Sequence, residues 1–169
     1  MPEKFRACFQ DTVQYASSRA YALQIHLILQ FDAPLCVGRL RQALRLILDR
    51  EPVFGSRFVL HWRRPFWQKL SSDELDAAVL LKDVSGNPDE LAAARDAFLA
   101  EIIDEATGPQ LRALLLHESA DNITANAPAN TPVHTLLIKV NHQVVDAGGT
   151  KELGYLLANI YNRLANDEN

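Results

Sequence analysis

A histidine and an aspartate, His142 and Asp146, stand four residues apart near the end of the sequence. They follow the largely apolar run Leu136–Val140 and precede Gly148 and Gly149. Because the unperturbed pKa of an imidazole, about 6.5, is close to working pH, a histidine fixed at a strand end can take a proton from a hydroxyl, amine or thiol. Such general-base help typically accelerates a reaction about 10²–10⁴-fold. The pattern predicts His142 as a catalytic base, with Asp146 orienting the ring or anchoring the loop through an arginine.

The same spacing also has a structural explanation, in which both nitrogens of the histidine are hydrogen bonded inside the core. The sequence contains no serine nucleophile elbow, phosphate-binding loop or dinucleotide motif as a competing site. No third metal ligand stands near His142 and Asp146, so no metal site is predicted. Cys8 and Cys36 lie far apart, without a histidine at metal-ligand spacing, and are interpreted as free thiols.

Hydrophobic periodicity predicts the elements that must position these residues. Alternating apolar residues indicate strands, and apolar residues three and four positions apart indicate helices. The predicted strands are 21–31, 53–60, 66–70, 77–81, Leu111–Glu118 and His134–Asn141, and the predicted helices are Cys36–Asp49, 88–107 and Thr150–Ala165. Residues 120–132 are polar and are predicted to be a disordered loop.

The order of strands and helices predicts an α/β fold, a two-layer α/β sandwich with a mixed β-sheet. The 169 residues, 48% of them hydrophobic, are enough for one domain with a sizeable core, and no linker divides the chain. One domain spanning 1–169 is therefore expected.

The segment Leu136–Gly149 resembles the His-His-x-x-x-Asp-Gly motif of nonribosomal peptide synthetase condensation domains and of chloramphenicol-acetyltransferase-like acyltransferases. Residues 50–58 are similar to the Arg-His-Glu and Leu-Arg-Thr-x-Phe region of that family. Residues 108–112, Gly-Pro-Gln-Leu-Arg, resemble its Gly-Pro-Leu-Leu-Arg entry to the preceding strand. The resemblance spans about residues 12–164 and implies one chloramphenicol-acetyltransferase-like lobe.

By this resemblance, His142 matches the second histidine of the motif, which the family uses as catalytic base or to position the transition state. Asp146 matches an aspartate that acts structurally, through an ion pair with an arginine. Gly55 stands where the family has an arginine, which leaves Arg19 and Arg57 as candidate partners of Asp146.

Two further positions depart from the family pattern. Asn141 stands in place of the first histidine, a departure that several branches of the family tolerate. Ala147 stands where glycine is usual, although Gly148 follows it, and its methyl group crowds the expected acyl or pantetheine path.

The resemblance implies an acyltransferase that moves an acyl group from a coenzyme A or carrier-protein phosphopantetheine thioester to an alcohol or amine acceptor. The thioester is a co-substrate, and no permanently bound cofactor is expected. Condensation domains have two lobes and this chain supplies one, so we expect a separate second lobe or self-association, most simply a trimer. The alternative is a catalytically degenerate or truncated lobe that acts as a protein-interaction module.

Charge and hydropathy limit the expected partners and location of the protein. The net charge of −4 disfavours broad nucleic-acid binding, so no nucleic-acid partner is expected. One basic and aromatic patch, Trp62–Trp67, leaves a single-stranded nucleic-acid module as a third hypothesis, although a hairpin tip explains it more simply. No apolar run is long enough for a membrane span, and residues 1–10 lack the features of a secretory signal, so a cytoplasmic location is expected.

Overall fold

The structure is a computed structural model that describes residues 3–18, 20–21, 24–118 and 133–167. Its strands are β1 (Lys4–Arg6), β2 (Gln24–Phe31), β3 (Ser56–Val59), β4 (Phe66–Lys69), β5 (Leu81–Gly86), β6 (Leu111–Glu118) and β7 (His134–Asn141). Its helices are α1 (Phe9–Ser18), α2 (Val37–Arg50), α3 (Ser72–Ala77), α4 (Pro88–Ala100) and α5 (Ala147–Asp167). The polar loop predicted at 120–132 lies outside the described residues.

The larger sheet has the strand order β2-β7-β6-β5. Strand β5 is parallel to β6, and the other neighbours are antiparallel, so the sheet is mixed. Leucines and isoleucines of β2, β6 and β7 alternate between its two faces, as strand geometry requires. One face packs against α2 and α5, and α4 covers part of the other face. The predicted α/β fold with a mixed sheet is confirmed.

A second, three-stranded antiparallel sheet has the order β1-β4-β3. Strands β3 and β4 form the hairpin predicted around the Trp62–Trp67 patch, with Val59 opposite Phe66. Trp67 is buried and packs on Phe58, whereas Trp62 is 81% exposed. Only one of the two indoles therefore covers the core.

The predicted helix 88–107 ends earlier than expected, at Ala100. The buried Lys139 of β7 donates from Nζ to the carbonyls of Phe98 and Glu101 at this helix end. In a longer helix these two carbonyls would accept hydrogen bonds from the next turn, whereas here they accept from Lys139. The backbone is extended at Glu101, where the helix ends. The prediction to Thr107 was wrong because it could not include a partner from a distant strand.

The strand predicted at 77–81 is also displaced. Residues 72–77 form α3, which Ser71 and Glu74 begin with a reciprocal capping box. The strand itself starts at Leu81 and continues to Gly86. Within the described residues, no helix is both long and apolar enough to cross the hydrocarbon core of a membrane.

Candidate active site

Strand β7 delivers the candidate base from the middle of the larger sheet, where it pairs with β2 and β6. Its last residue, Asn141, is 3% exposed and donates its backbone N–H to the carbonyl of Gln110 at 3.0 Å. Asn141 Oδ1 accepts from the backbone N–H of Gln143 at 2.9 Å, and its carbonyl accepts from that of Val144. Asn141 thus closes the turn after the strand.

The structure places His142 directly after β7, with a half-buried ring. Its Nδ1 lies 3.0 Å from the carbonyl oxygen of Val145. Because a carbonyl oxygen only accepts, Nδ1 carries the proton and the Nε2 of the neutral ring is left as an acceptor. Nε2 has no hydrogen-bond partner among the described residues. The turn therefore holds the ring in the tautomer that a general base requires.

Asp146 caps the helix that follows the turn. Its Oδ1 accepts from the backbone N–H of Gly149 at 2.7 Å, and its carbonyl accepts from both the N–H and the hydroxyl of Thr150. Arg57, one of the two expected partners, pairs instead with Glu74 at 3.0 Å, so that proposed ion pair is wrong. The other candidate, Arg19, lies outside the described residues. Asp146 is exposed, unlike a buried ion-pair partner.

The small residues after Asp146 begin α5. Ala147 is its first residue and is exposed. A Cβ at Gly148 would lie 3.3 Å from Asp146 Oδ1, whereas one at Gly149 would lie 2.5 Å from Val145 Cγ2. Gly149 is therefore the position at which a side chain would collide with the residue whose carbonyl holds His142.

A groove of about 400 Å³ runs beside this turn, between the end of α2 and the first turns of α5. The apolar part of its wall includes Val144 and Val145, and its polar part includes Arg50 and Glu152. The turn that carries His142 therefore borders a solvent-accessible groove through Val144 and Val145.

A row of basic side chains crosses the larger sheet near the same end. His26, Lys139 and Arg112 are cross-strand neighbours on β2, β7 and β6. Burial lowers the pKa of Lys139, and Lys82 and Arg112 lower it further, while Glu101 opposes them. Burial also lowers the pKa of Arg112, again against Glu101, and burial with nearby Lys139 lowers that of His26. Burial therefore disfavours the charged forms of these three side chains.

Sequence analysis missed Gln143, which is 7% exposed although it follows His142 in a loop. Its Nε2 donates to the backbone carbonyl of Asp11 at 2.7 Å. The one sequence feature that could have indicated its role is its position, as an amide between the candidate base His142 and two valines.

In the described part of the chain, no group of three or more His, Cys, Asp or Glu residues is arranged to hold a metal ion.

Searches of protein-family models and of curated proteins found no match. Among solved structures, the first condensation domain of the calcium-dependent antibiotic synthetase, in complex with a substrate analogue, matches with a TM-score of 0.76 and 18% identity. The match covers 98% of this chain and 40% of that one. The chain has the fold of a condensation-domain lobe.

Two other solved structures agree with this condensation-type lobe. A mutant starter condensation domain of rhizomide synthetase in complex with C8-CoA matches with a TM-score of 0.71 and 14% identity, over 97% of this chain and 36% of that one. The epimerization domain from the third module of tyrocidine synthetase B matches with a TM-score of 0.71 and 12% identity, over 98% and 35%. The lobe therefore spans about two-fifths of the length of the solved structures that it matches.

Proposed function

We propose that this chain is the histidine-bearing lobe of an acyltransferase, with His142 as its general base. The observation that carries the proposal is the hydrogen bond from His142 Nδ1 to the carbonyl of Val145, which leaves Nε2 as the acceptor. The condensation-type fold supports the same reaction class. The lobe transfers an acyl group from a coenzyme A or phosphopantetheine thioester to an alcohol or amine.

In the proposed reaction, His142 Nε2 takes the proton of the acceptor as its oxygen or nitrogen attacks the thioester carbonyl. The new carbon–oxygen or carbon–nitrogen bond forms, and the carbon–sulfur bond breaks as the tetrahedral intermediate collapses. The imidazolium then returns its proton to the departing thiolate, so the ring ends as it began. C8-CoA in the similar starter condensation domain supports a thioester as the donor.

The proposal includes a partner, because the lobe spans only about two-fifths of the condensation-type structures. A second lobe, on another chain or supplied by another copy, would close a channel over the His142 turn. Substrate recognition would then be shared between the two sides.

The test is thioester-dependent acyl transfer by the lobe assembled with its partner, using acyl-coenzyme A and acyl-pantetheine donors. His142→Ala is expected to lower kcat by about 10²–10⁴-fold, the usual contribution of a general base. His61→Ala, at an exposed histidine of the β3–β4 hairpin, is the matched control and should leave the rate unchanged. Full activity in folded His142→Ala would refute the proposed role.

The alternative is a degenerate lobe that binds a partner without chemistry. The exposed apolar side chains of α1, Phe9 at 84% and Val13 at 43%, favour an interaction surface. Stable partner binding with no acyl transfer from either class of donor would support this alternative.

A further inference from the structure

The turn that carries His142 is attached to the rest of the molecule through the residue next to it. Gln143 is buried, and its Nε2 donates to the backbone carbonyl of Asp11 in the first turn of α1, at 2.7 Å. Its Oε1 is also buried and has no partner. The side chain therefore depends on one hydrogen bond, which joins two segments separated by 132 positions in the chain.

The other end of this connection is itself fixed. Asp11 Oδ2 accepts from the backbone N–H of Cys8 at 2.8 Å and from the indole N–H of Trp67 at 3.0 Å. Trp67 is 3% exposed and belongs to β4, so the start of α1 is tied to the smaller sheet. The residue whose carbonyl accepts from Gln143 is therefore itself held in place by Cys8 and Trp67.

The neighbours of Gln143 restrain the turn in other directions. Val144 packs against both the main core and the small cluster that contains Phe58 and Trp67. Val145 packs on the main core and offers its carbonyl to His142 Nδ1. His142 Nε2, on the opposite side of the ring from this bond, has no protein partner among the described residues.

We propose that Gln143 is a positioning residue that holds His142 in its base tautomer by tying the turn to Asp11. The inference rests on the proposed function, since it gives a purpose to the orientation of the ring. Without the amide, the turn loses its connection to α1, and the Nδ1–Val145 bond is no longer held at one geometry. A released ring exchanges between its two neutral tautomers, one of which has a proton on Nε2 and cannot take the substrate's proton there.

The test combines a side-chain replacement with a spectroscopic readout of the ring. Gln143→Met keeps the length and volume of the side chain but removes the amide donor. Gln42→Met, at an exposed position of α2, is the matched control. Gln143→Asn, which keeps an amide but is one methylene too short to reach Asp11, serves if the first variant does not fold.

Nitrogen-15 spectra of the His142 ring in the 169-residue chain report the tautomer directly. We expect the parent chain and Gln42→Met to show the Nδ1–H form, and Gln143→Met to show a mixture of both forms. In the assembled enzyme, Gln143→Met should lower kcat by about 10–100-fold with KM changed less than about twofold, as for a misplaced reactive group.

The two proposals fail in different ways. An unchanged His142 tautomer in folded Gln143→Met would overturn the positioning role, whatever the activity. A changed tautomer in Gln143→Met would support that role even if His142→Ala kept full transfer activity, a result that would overturn only the proposed reaction.

Discussion

At the scale of single residues, Asp146 is bound to the start of α5. Its Oδ1 accepts from the backbone N–H of Gly149, three residues further on, which is the bond of a helix N-cap. Asp146→Ala should therefore lower the free energy of unfolding by about 1 kcal/mol, whereas Asp146→Asn, which keeps a capping oxygen, should change it little. Urea denaturation measures both, with Asp89→Ala, in the exposed first turn of α4, as the control.

Equal losses in the Asn and Ala variants of Asp146 would contradict this explanation. That result would mean that the charge of the carboxylate matters, as in an ion pair, and not its capping oxygen. The comparison therefore separates a helix cap from the arginine pair that the family resemblance implies.

The sequence predicted where the candidate site residues lie along the chain, but not their hydrogen-bond partners. His142 follows β7 as expected. Asp146 directly precedes α5, which begins at Ala147 and not at the predicted Thr150. The Gln143–Asp11 bond depends on how α1 meets the turn, which no local pattern encodes. Arg57 was a candidate partner of Asp146 because Gly55 stands where the resembled family has an arginine. Its observed partner, Glu74, lies in α3, a helix that was not predicted.

At the scale of elements, prediction succeeded where burial dominates. Strands β6 and β7 were predicted with their observed bounds, because runs of buried leucine and isoleucine leave few alternatives. Helix α1 was missed since none of its described residues is buried, so its apolar pattern has no clear core face. The end of α4 was misplaced because Lys139 of another element determines it.

The first residue of β7, His134, lies at the opposite end from His142 and is expected to make the stability of the protein sensitive to acid. His134 is 8% exposed, stacks on His117 with 4.9 Å between ring centroids, and accepts at Nδ1 from the backbone N–H of Leu35 at 3.0 Å. Because that N–H is a donor, Nδ1 must be unprotonated. Burial, and then the charge of His117, lower the pKa of His134, while Asp83 raises it.

The direction of the pH effect follows from this depressed pKa. Above the unfolded value, about 6.5, neither state of the protein binds a proton at His134, and its contribution to stability is fully present. As the pH falls below that value, the unfolded chain takes the proton first, so the free energy of unfolding decreases until the pH passes the folded pKa. Urea denaturation between about pH 7.5 and 5 measures the decrease.

His134→Asn keeps an acceptor for Leu35 but cannot be protonated in this range, so the variant should lose less stability on acidification. His61→Asn, at the exposed hairpin, is the control and should follow the parent chain. A pH dependence that is identical in the parent chain and in His134→Asn would show that other groups cause the acid sensitivity.

At the scale of the whole molecule, the described residues leave one face of β2 uncovered, called the bare face below. Leu27 and Leu29 pack toward α2 and α5, and the intervening Ile28 points to the other face, where it is 51% exposed. On that face, α4 packs on β5 and β6, whereas His26 and Gln30 of β2 are exposed beside Ile28. The bare face adjoins the row of basic side chains on the larger sheet, since His26 belongs to both.

This bare face predicts association. Each Å² of apolar surface that is buried stabilises an assembly by about 25 cal/mol. Covering the surface around Ile28 with a second lobe or another copy is therefore favourable. We expect the 169-residue chain to self-associate at micromolar concentration, most simply as a trimer, and Ile28→Lys to shift it toward monomer. Tyr155→Lys, at an exposed residue of α5, is the control and should leave the assembly intact.

Light scattering coupled to size-exclusion chromatography measures the mass of the assembly. A parent chain that is monomeric and active alone would contradict this prediction and would show that one lobe suffices for catalysis.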